Sequence, residues 1–228
     1  MPQEPQYQSD ERAPVEVKKL ASEELHAASI ILAHGMCENP LHVRVFRDVP
    51  DRRRQRLSRF LGLLVTYVHS NGNMLGAYVQ GELIGVLGMI QPSRCRPTLS
   101  VRLRFGLALL TSVPPTVLLR IHRWLSAWEC HDPLEPHWHI GPLAVLPAYR
   151  RRGIGRRLMM ECCQRMDALA TAAWLETDLE TNVIFYQLLG FVVIKQELVL
   201  GVPSWFMGHS LSGGSIDANP SRGESPVN

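Results

Sequence analysis

Lysine is almost missing from this 228-residue chain, occurring only at Lys18, Lys19 and Lys195, so nearly all its positive charge is arginine. With 24 basic against 21 acidic residues the net charge is +3, which is compatible with anionic partners but too small to demand nucleic-acid binding. No apolar run is long enough for a membrane span, because residues 105–119, the most apolar neighbourhood, are broken by Pro114 and Pro115 and flanked by arginines. The start, Met-Pro-Gln-Glu-Pro-Gln, has neither a basic head nor an apolar core, so no signal peptide is expected. Five cysteines (Cys37, Cys95, Cys130, Cys162 and Cys163) are an odd count without metal-ligand or disulfide-framework spacing. A reduced, cytoplasmic setting follows as the simpler expectation. His122 and His131 stand alone near tryptophans, and no metal is expected.

An apolar fraction of 46% and a charged fraction of 20% suit a globular protein of one domain. Residues 1–13 and 210–228 are polar and rich in Pro, Gly or Ser, and are expected to be disordered around a domain over 14–209. Within it, residues 15–20 alternate as a strand. Residues 23–34 read as a helix with Ser22 as N-cap and Gly35 near its stop, followed by a loop through Asn39-Pro40. Residues 51–69 form a basic amphipathic helix whose arginine run (Arg52, Arg53, Arg54, Arg56, Arg59) reads as a solvated surface. After a turn at 70–73, residues 74–79 and 83–90 flank Gln80-Gly81-Glu82 as a hairpin. Residues 93–136 form a helical insertion, with helices over 100–110 and 116–128 that cover one side of the sheet, wall an acceptor pocket, or do both. Further strands are expected over 172–176, 191–200 and 203–207, with a short helix capped by Thr181 or Asn182 and ending at Gly190.

The stretch from His137 to Met166 organises the rest. Ile140, Leu143, Ala144 and Val145 form an apolar strand interrupted by Gly141 and Pro142. Then comes Val145-Leu146-Pro147-Ala148-Tyr149-Arg150-Arg151-Arg152-Gly153-Ile154-Gly155, followed by a helix whose apolar residues recur at three and four. Glycines at 153 and 155 let backbone amides approach a ligand, and a helix start favours an anion such as a pyrophosphate. The third glycine of a dinucleotide fingerprint and the Gly-Lys-Ser/Thr of a P-loop are both lacking.

Arg150-x-x-Gly-x-Gly, with Val-x-Pro-x-Tyr before it and Asn182…Tyr186…Gly190-Phe191 after it, resembles the acetyl-CoA-binding core of the GNAT superfamily of N-acetyltransferases. The resemblance covers roughly residues 15–208 and is firmest over 137–191. It implies an α/β (α+β) fold: a mixed, mostly antiparallel central sheet flanked by helices and splayed at the acetyl-CoA site. It also implies acetyl-CoA as cosubstrate. The amides of Arg151, Arg152, Gly153, Gly155 and Arg156, with Arg150, would hold its pyrophosphate, Leu143 and Val145 would pair with the pantetheine arm, and Asn182 would contact CoA. Tyr186 would be the general acid toward the thiolate, unless it is half-buried packing.

The glutamate that the family often uses as base is replaced here by His139. Its imidazole titrates near neutrality and can accept the amine's proton, or it can simply pack beside Trp138. His137, two residues earlier on the same strand side, is the fallback. The expected activity is acetyl transfer to a primary amine of a small molecule or peptide by direct attack in a ternary complex. A catalytically weak acyl-CoA-binding or sensing module is the alternative. The acceptor amine is unnamed by the sequence, no membrane or nucleic-acid partner is expected, and a homodimer is compatible with it.

Overall fold

The computed structural model describes residues 14–209, so the expectations for both chain ends lie outside the described residues. Strand β1 (Val15–Lys19) leads through a short 3-10 turn at Ser22–Glu24 into helix α1 (Leu25–Met36). The helix does not stop before Gly35 as its sequence suggests. Gly35 lies where α1 presses on the sheet, and a Cβ there would sit 2.5 Å from the Cβ of Ala144. This glycine permits a close approach and terminates nothing.

The loop expected through Asn39-Pro40 ends one residue sooner: Pro40 opens a second helix, α2 (Pro40–Phe46), occupying a first-turn position where a missing N–H costs nothing. Helix α3 (Pro50–Asn71) buries Leu57, Phe60, Leu61, Val65 and Val68 at helical spacing. Its arginines are mostly solvated, with one exception. Arg53 is buried and donates to the carbonyls of Cys37 and Asp48 and to Glu38, clamping the corner between α1 and α2. The turn expected at 70–73 is absent, because α3 runs to Asn71 and β2 (Gly72–Val79) begins at the next residue.

A two-residue loop, Gln80-Gly81, joins β2 to β3 (Glu82–Ile90). Helices α4 (Leu99–Leu110) and α5 (Pro115–Glu129) follow, and Leu109, Val117, Ile121 and Trp124 pack into the core that α1, α2 and α3 build on one sheet face. The Trp124 ring lies 5.5 Å from that of Phe60. Covering the sheet is therefore one role the insertion does play. Strand β4 (Trp138–Val145) leads through a 3-10 turn at Pro147–Tyr149 to helix α6 (Ile154–Ala168), β5 (Ala173–Thr177), helix α7 (Glu180–Gln187), β6 (Val192–Val199) and β7 (Val202–His209). Neither Thr181 nor Asn182 caps α7. The cap residue is Leu179, which offers no side-chain oxygen; its carbonyl accepts from the Asn182 N–H at 2.9 Å, and its own N–H donates to the Thr177 hydroxyl at 3.3 Å.

The seven strands run β1-β2-β3-β4-β5-β7-β6, antiparallel except for β4 and β5. Those two pair in parallel only at Trp138 with Ala173 and His139 with Trp174, and then diverge. The fold is thus a mixed, mostly antiparallel sheet between helical layers, splayed beyond residue 139, as the family resemblance implies. The register of β3 against β4 shifts between Leu87 and Met89, opposite the cis Gly141-Pro142 peptide. That extra residue changes the alternation: Trp138 and Ile140 before it, and Leu143 and Val145 after it, all pack on the α6 side, while Ala144 joins the other core.

Candidate active site

The splay leaves one edge of β4 open, and the ladder on its other edge shows which peptides face the gap. The Leu146 N–H donates to the Ile84 carbonyl at 2.9 Å. Alternation along an antiparallel pair then turns Ala144 toward β3, and the peptides of Leu143 and Val145 toward the gap. The Val145 carbonyl accepts a bond from Arg150 Nε at 3.3 Å, and Arg150 Nη2 reaches the Gly35 carbonyl at 3.0 Å. Arg150 thus ties the turn after β4 to helix α1.

In that turn Arg151 (φ 61°) and Gly153 (φ 76°) both take left-handed backbone, and Gly153 is the cap of α6. A glycine cap has no side chain to satisfy the first amides of the helix. The N–H groups of Arg151, Arg152, Gly153, Gly155 and Arg156 have no hydrogen-bond acceptor among the described residues. These donors cluster at the positive end of a 15-residue helix dipole, which suits a phosphate-bearing ligand. An ideal Cβ on Gly155 would lie 3.8 Å from the Phe185 ring, so α7 borders the turn.

At the other end of β4, where the strands begin to part, several titratable groups converge. His139 Nε2 lies 3.2 Å from Glu176 Oε2 on β5, and its Nδ1 lies 3.3 Å from Asp132 Oδ1, in the loop after α5. His137 Nε2 lies 3.0 Å from the same Asp132 oxygen, and its Nδ1 lies 2.8 Å from the Glu135 carbonyl. Cys95, before α4, places its sulfur 3.6 Å from the His137 carbonyl. Glu176 also accepts the Trp174 indole N–H at 3.0 Å. Both carboxylates and His137 are almost wholly buried, whereas the His139 side chain keeps 22% of its surface open.

Burial alone would lower the proton affinity of each imidazole, but the carboxylates outweigh it. Glu176 and Asp132 raise His139 well above the ordinary histidine value, and Asp132 raises His137 to about 10. Burial pushes the Asp132 carboxyl up, yet the bonds from His137 and His139 hold it below the usual carboxylate range. His139 thus sits in a network of ion pairs beside Trp138, and His137 shares its partner Asp132.

The remaining candidates lie around α7. Asn182 is half-buried, with its amide donating to the Thr177 hydroxyl at 3.2 Å. Tyr186 is buried among the α6 residues and stacks at a tilt with Phe185 and Phe191, with centroids 5.1 and 6.0 Å away. Its hydroxyl makes no hydrogen bond among the described residues, and the residue as a whole is buried. Burial pushes that hydroxyl's pKa up. No bond joins Tyr186 to His139.

A family model described as the acetyltransferase (GNAT) family matches residues 41–191. The chain belongs to that family. As a GNAT protein it is an acyltransferase, and its fold is shared by solved members. One is the crystal structure titled histone acetyltransferase HPA2 and related acetyltransferase from Corynebacterium glutamicum (TM-score 0.64, 19% identity, covering 89% of this chain and 99% of that one). Another is the polyamine N-acetyltransferase of Drosophila melanogaster (0.58, 17%, 87% and 100%). A third is PaiA N-acetyltransferase from Thermoplasma acidophilum, solved with coenzyme A (0.53, 14%, 87% and 99%).

Three groups of this cluster are not marked by the sequence. Glu176 brings a carboxylate from β5 to His139, and its one signal is a glutamate two residues after Trp174 in an otherwise mostly apolar strand. Asp132 and Cys95 come from the two ends of the insertion, far from the motif in sequence, and carried no signal. Among the described residues no helix is long and apolar enough to cross a membrane.

Proposed function

We propose that the protein transfers the acetyl group of acetyl-CoA to a primary amine of a small molecule or peptide by direct attack in a ternary complex. The observation that carries this is His139, partly open and held between Asp132 and Glu176 at the point where β4 and β5 separate. The pyrophosphate lies on the free amides from Arg151 to Arg156, and the pantetheine arm pairs with the peptides of Leu143 and Val145 and reaches the neck of the splay. Asn182 borders the arm from α7.

Held protonated by Asp132 and Glu176, His139 must first release a proton; in its neutral form it accepts one from the attacking amine as the C–N bond forms, so this reading expects turnover to rise with pH. A β4 peptide N–H facing the gap polarises the thioester carbonyl. As the C–S bond breaks, the Tyr186 hydroxyl gives its proton to the CoA thiolate, leaving the N-acetylated amine and CoA thiol. A small amine acceptor agrees with the polyamine substrate named for the Drosophila relative. The five cysteines are all unpaired, which supports a reducing cytoplasmic setting.

A second reading, a catalytically weak acyl-CoA binder, is favoured by the engagement of both His139 nitrogens with carboxylates. Thiol release from acetyl-CoA across a panel of amines separates the two. Turnover that falls in His139→Ala and Tyr186→Phe while CoA still binds is the expected result. CoA binding without turnover, unaltered by either substitution, would replace the enzyme with the binder.

A further inference from the structure

The cluster beside the neck has a hydrogen count that suits a metal ion. Glu135 offers His137 Nδ1 a carbonyl at 2.8 Å, and a carbonyl only accepts, so that nitrogen carries a proton. His137 Nε2 then points a lone pair or a second proton at Asp132 Oδ1, 3.0 Å away. His139 repeats the pattern: Nε2 faces Glu176 at 3.2 Å, and Nδ1 faces the same Asp132 oxygen at 3.3 Å. Two imidazole nitrogens thus converge on one carboxylate oxygen, and each needs a positive charge between it and that oxygen. Two protons satisfy this requirement, and so does one divalent cation.

Cys95 completes the set. One ligand atom from each of Cys95, Asp132, His137 and His139 lies within 4.8 Å of all the others. Tetrahedral zinc with bonds of about 2.0–2.3 Å needs ligand separations of roughly 3.3–3.8 Å, so modest side-chain shifts close the site. The outer partners are already in place, since metal-ligating histidines usually donate their other N–H to a carbonyl or carboxylate, here Glu135 and Glu176. Exchanging the two inner imidazole protons for one M²⁺ leaves the charge of the cluster unchanged. Loss of the Cys95 proton adds one negative charge, and Arg96, whose Nη2 donates to the Asp132 carbonyl at 3.3 Å, lies beside it.

We propose that Cys95, Asp132, His137 and His139 form a binding site for a divalent cation of the zinc type at the acceptor end of the cleft. Thiolate, two imidazoles and a carboxylate are a borderline-soft set that favours zinc over magnesium or calcium. Spacing along the chain could not reveal it, because the ligands come from the loop after β3, the loop after α5, and β4 with the residue just before it. One consequence rests on the function proposed above: the ion occupies His139 Nδ1 and keeps the Nε2 proton on Glu176, so the metal-loaded protein has no base for the amine and acetyl transfer stops.

Cobalt(II), titrated into chelator-treated full-length protein, tests the site. The expected result is saturation at one equivalent, with intense visible bands of tetrahedral cobalt and a near-ultraviolet thiolate charge-transfer band, all displaced by zinc. Cys95→Ser should remove the charge-transfer band, and His137→Ala, which removes a ligand, should weaken binding by more than the roughly 10–100-fold that loss of an outer partner costs, while circular dichroism shows the fold intact. Weak octahedral absorption alone, or the same tetrahedral spectrum in both variants, would overturn the proposal. The two readings fail separately. A cobalt spectrum as described with zinc-independent acetyl transfer leaves the site standing and removes His139 as base, whereas zinc-free turnover that needs His139 without any cobalt site does the reverse.

Discussion

His139 on β4 and Glu176 on β5 form an ion pair of 3.2 Å that crosses the sheet where its two halves part company. In the proposed reaction the imidazole, once deprotonated, is the proton acceptor, while the carboxylate fixes its orientation and raises its proton affinity. Glu176→Gln preserves volume and the acceptor for Trp174 but removes the charge. It is predicted to lower kcat by about 10-fold or more with the affinity for acetyl-CoA unchanged. Steady-state kinetics beside calorimetric CoA titration checks this, and an unaltered kcat would make the pair structural.

Gly153 caps α6 in a left-handed conformation that an L side chain adopts only at a cost. Gly153→Ala should destabilise the protein by about 1 kcal/mol and also raise the KM for acetyl-CoA, because the same backbone aims the free amides. A thermal melt reads the first effect and steady-state kinetics in acetyl-CoA the second. A lower melting temperature with KM unmoved would separate the turn from the ligand.

Two helical glycines make a matched pair. A Cβ on Gly35 meets that of Ala144 at 2.5 Å, whereas one on Gly62 of α3 finds its nearest neighbour, Ser29, at 3.9 Å. Gly35→Ala is predicted to cost about 1–3 kcal/mol through overpacking against β4. Gly62→Ala should stabilise by about 0.5–1 kcal/mol through helix propensity. Urea unfolding of both variants tests the assignment, and equal shifts of one sign would contradict it.

Burial raises the pKa of the Tyr186 hydroxyl above the ordinary tyrosine value, so the acid form persists to higher pH than that of a free phenol. An acid of this kind supports turnover below its pKa and fails above it. The expected kcat profile shows no alkaline decline through about pH 10, where an unperturbed tyrosine would titrate. Tyr186→Phe should lower kcat at every pH in the range. A decline centred near 10 in the wild type, absent from the Phe variant, would refute the raised value.

Much of the fold was legible in the sequence because local patterns dictated it. The hairpin around Gln80-Gly81, the helices at 99–129 and the strand-turn-helix from Trp138 to Ala168 follow from periodicity and turn chemistry alone. The misreadings came where tertiary contact overrules a local signal. Gly35 resembles a stop and serves a helix-to-sheet contact, Pro40 resembles a loop and opens α2, and α7 starts at Leu179 with no side-chain cap in place of Thr181 or Asn182. In the site, the turn at 150–156 and the pair His137 and His139 lie within one continuous stretch and could be read together. Asp132, Glu176 and Cys95 meet them only after the chain has folded around β4, and no spacing rule reaches that far.

The gap along β4 also has a meaning as exposed edge. Unpaired strand edges invite foreign strands, and proteins commonly blunt them with charges, bulges or short lengths. Here the register break opposite Gly141-Pro142 interrupts the edge at one end, and Arg150 occupies the Val145 carbonyl at the other. What stays open between them is a handful of peptide groups centred on Leu143. A neighbouring polypeptide finds too little there to zip onto, while the slender two-amide arm of the proposed coenzyme finds enough, so the trimming that suits such an arm also guards the protein against its own kind.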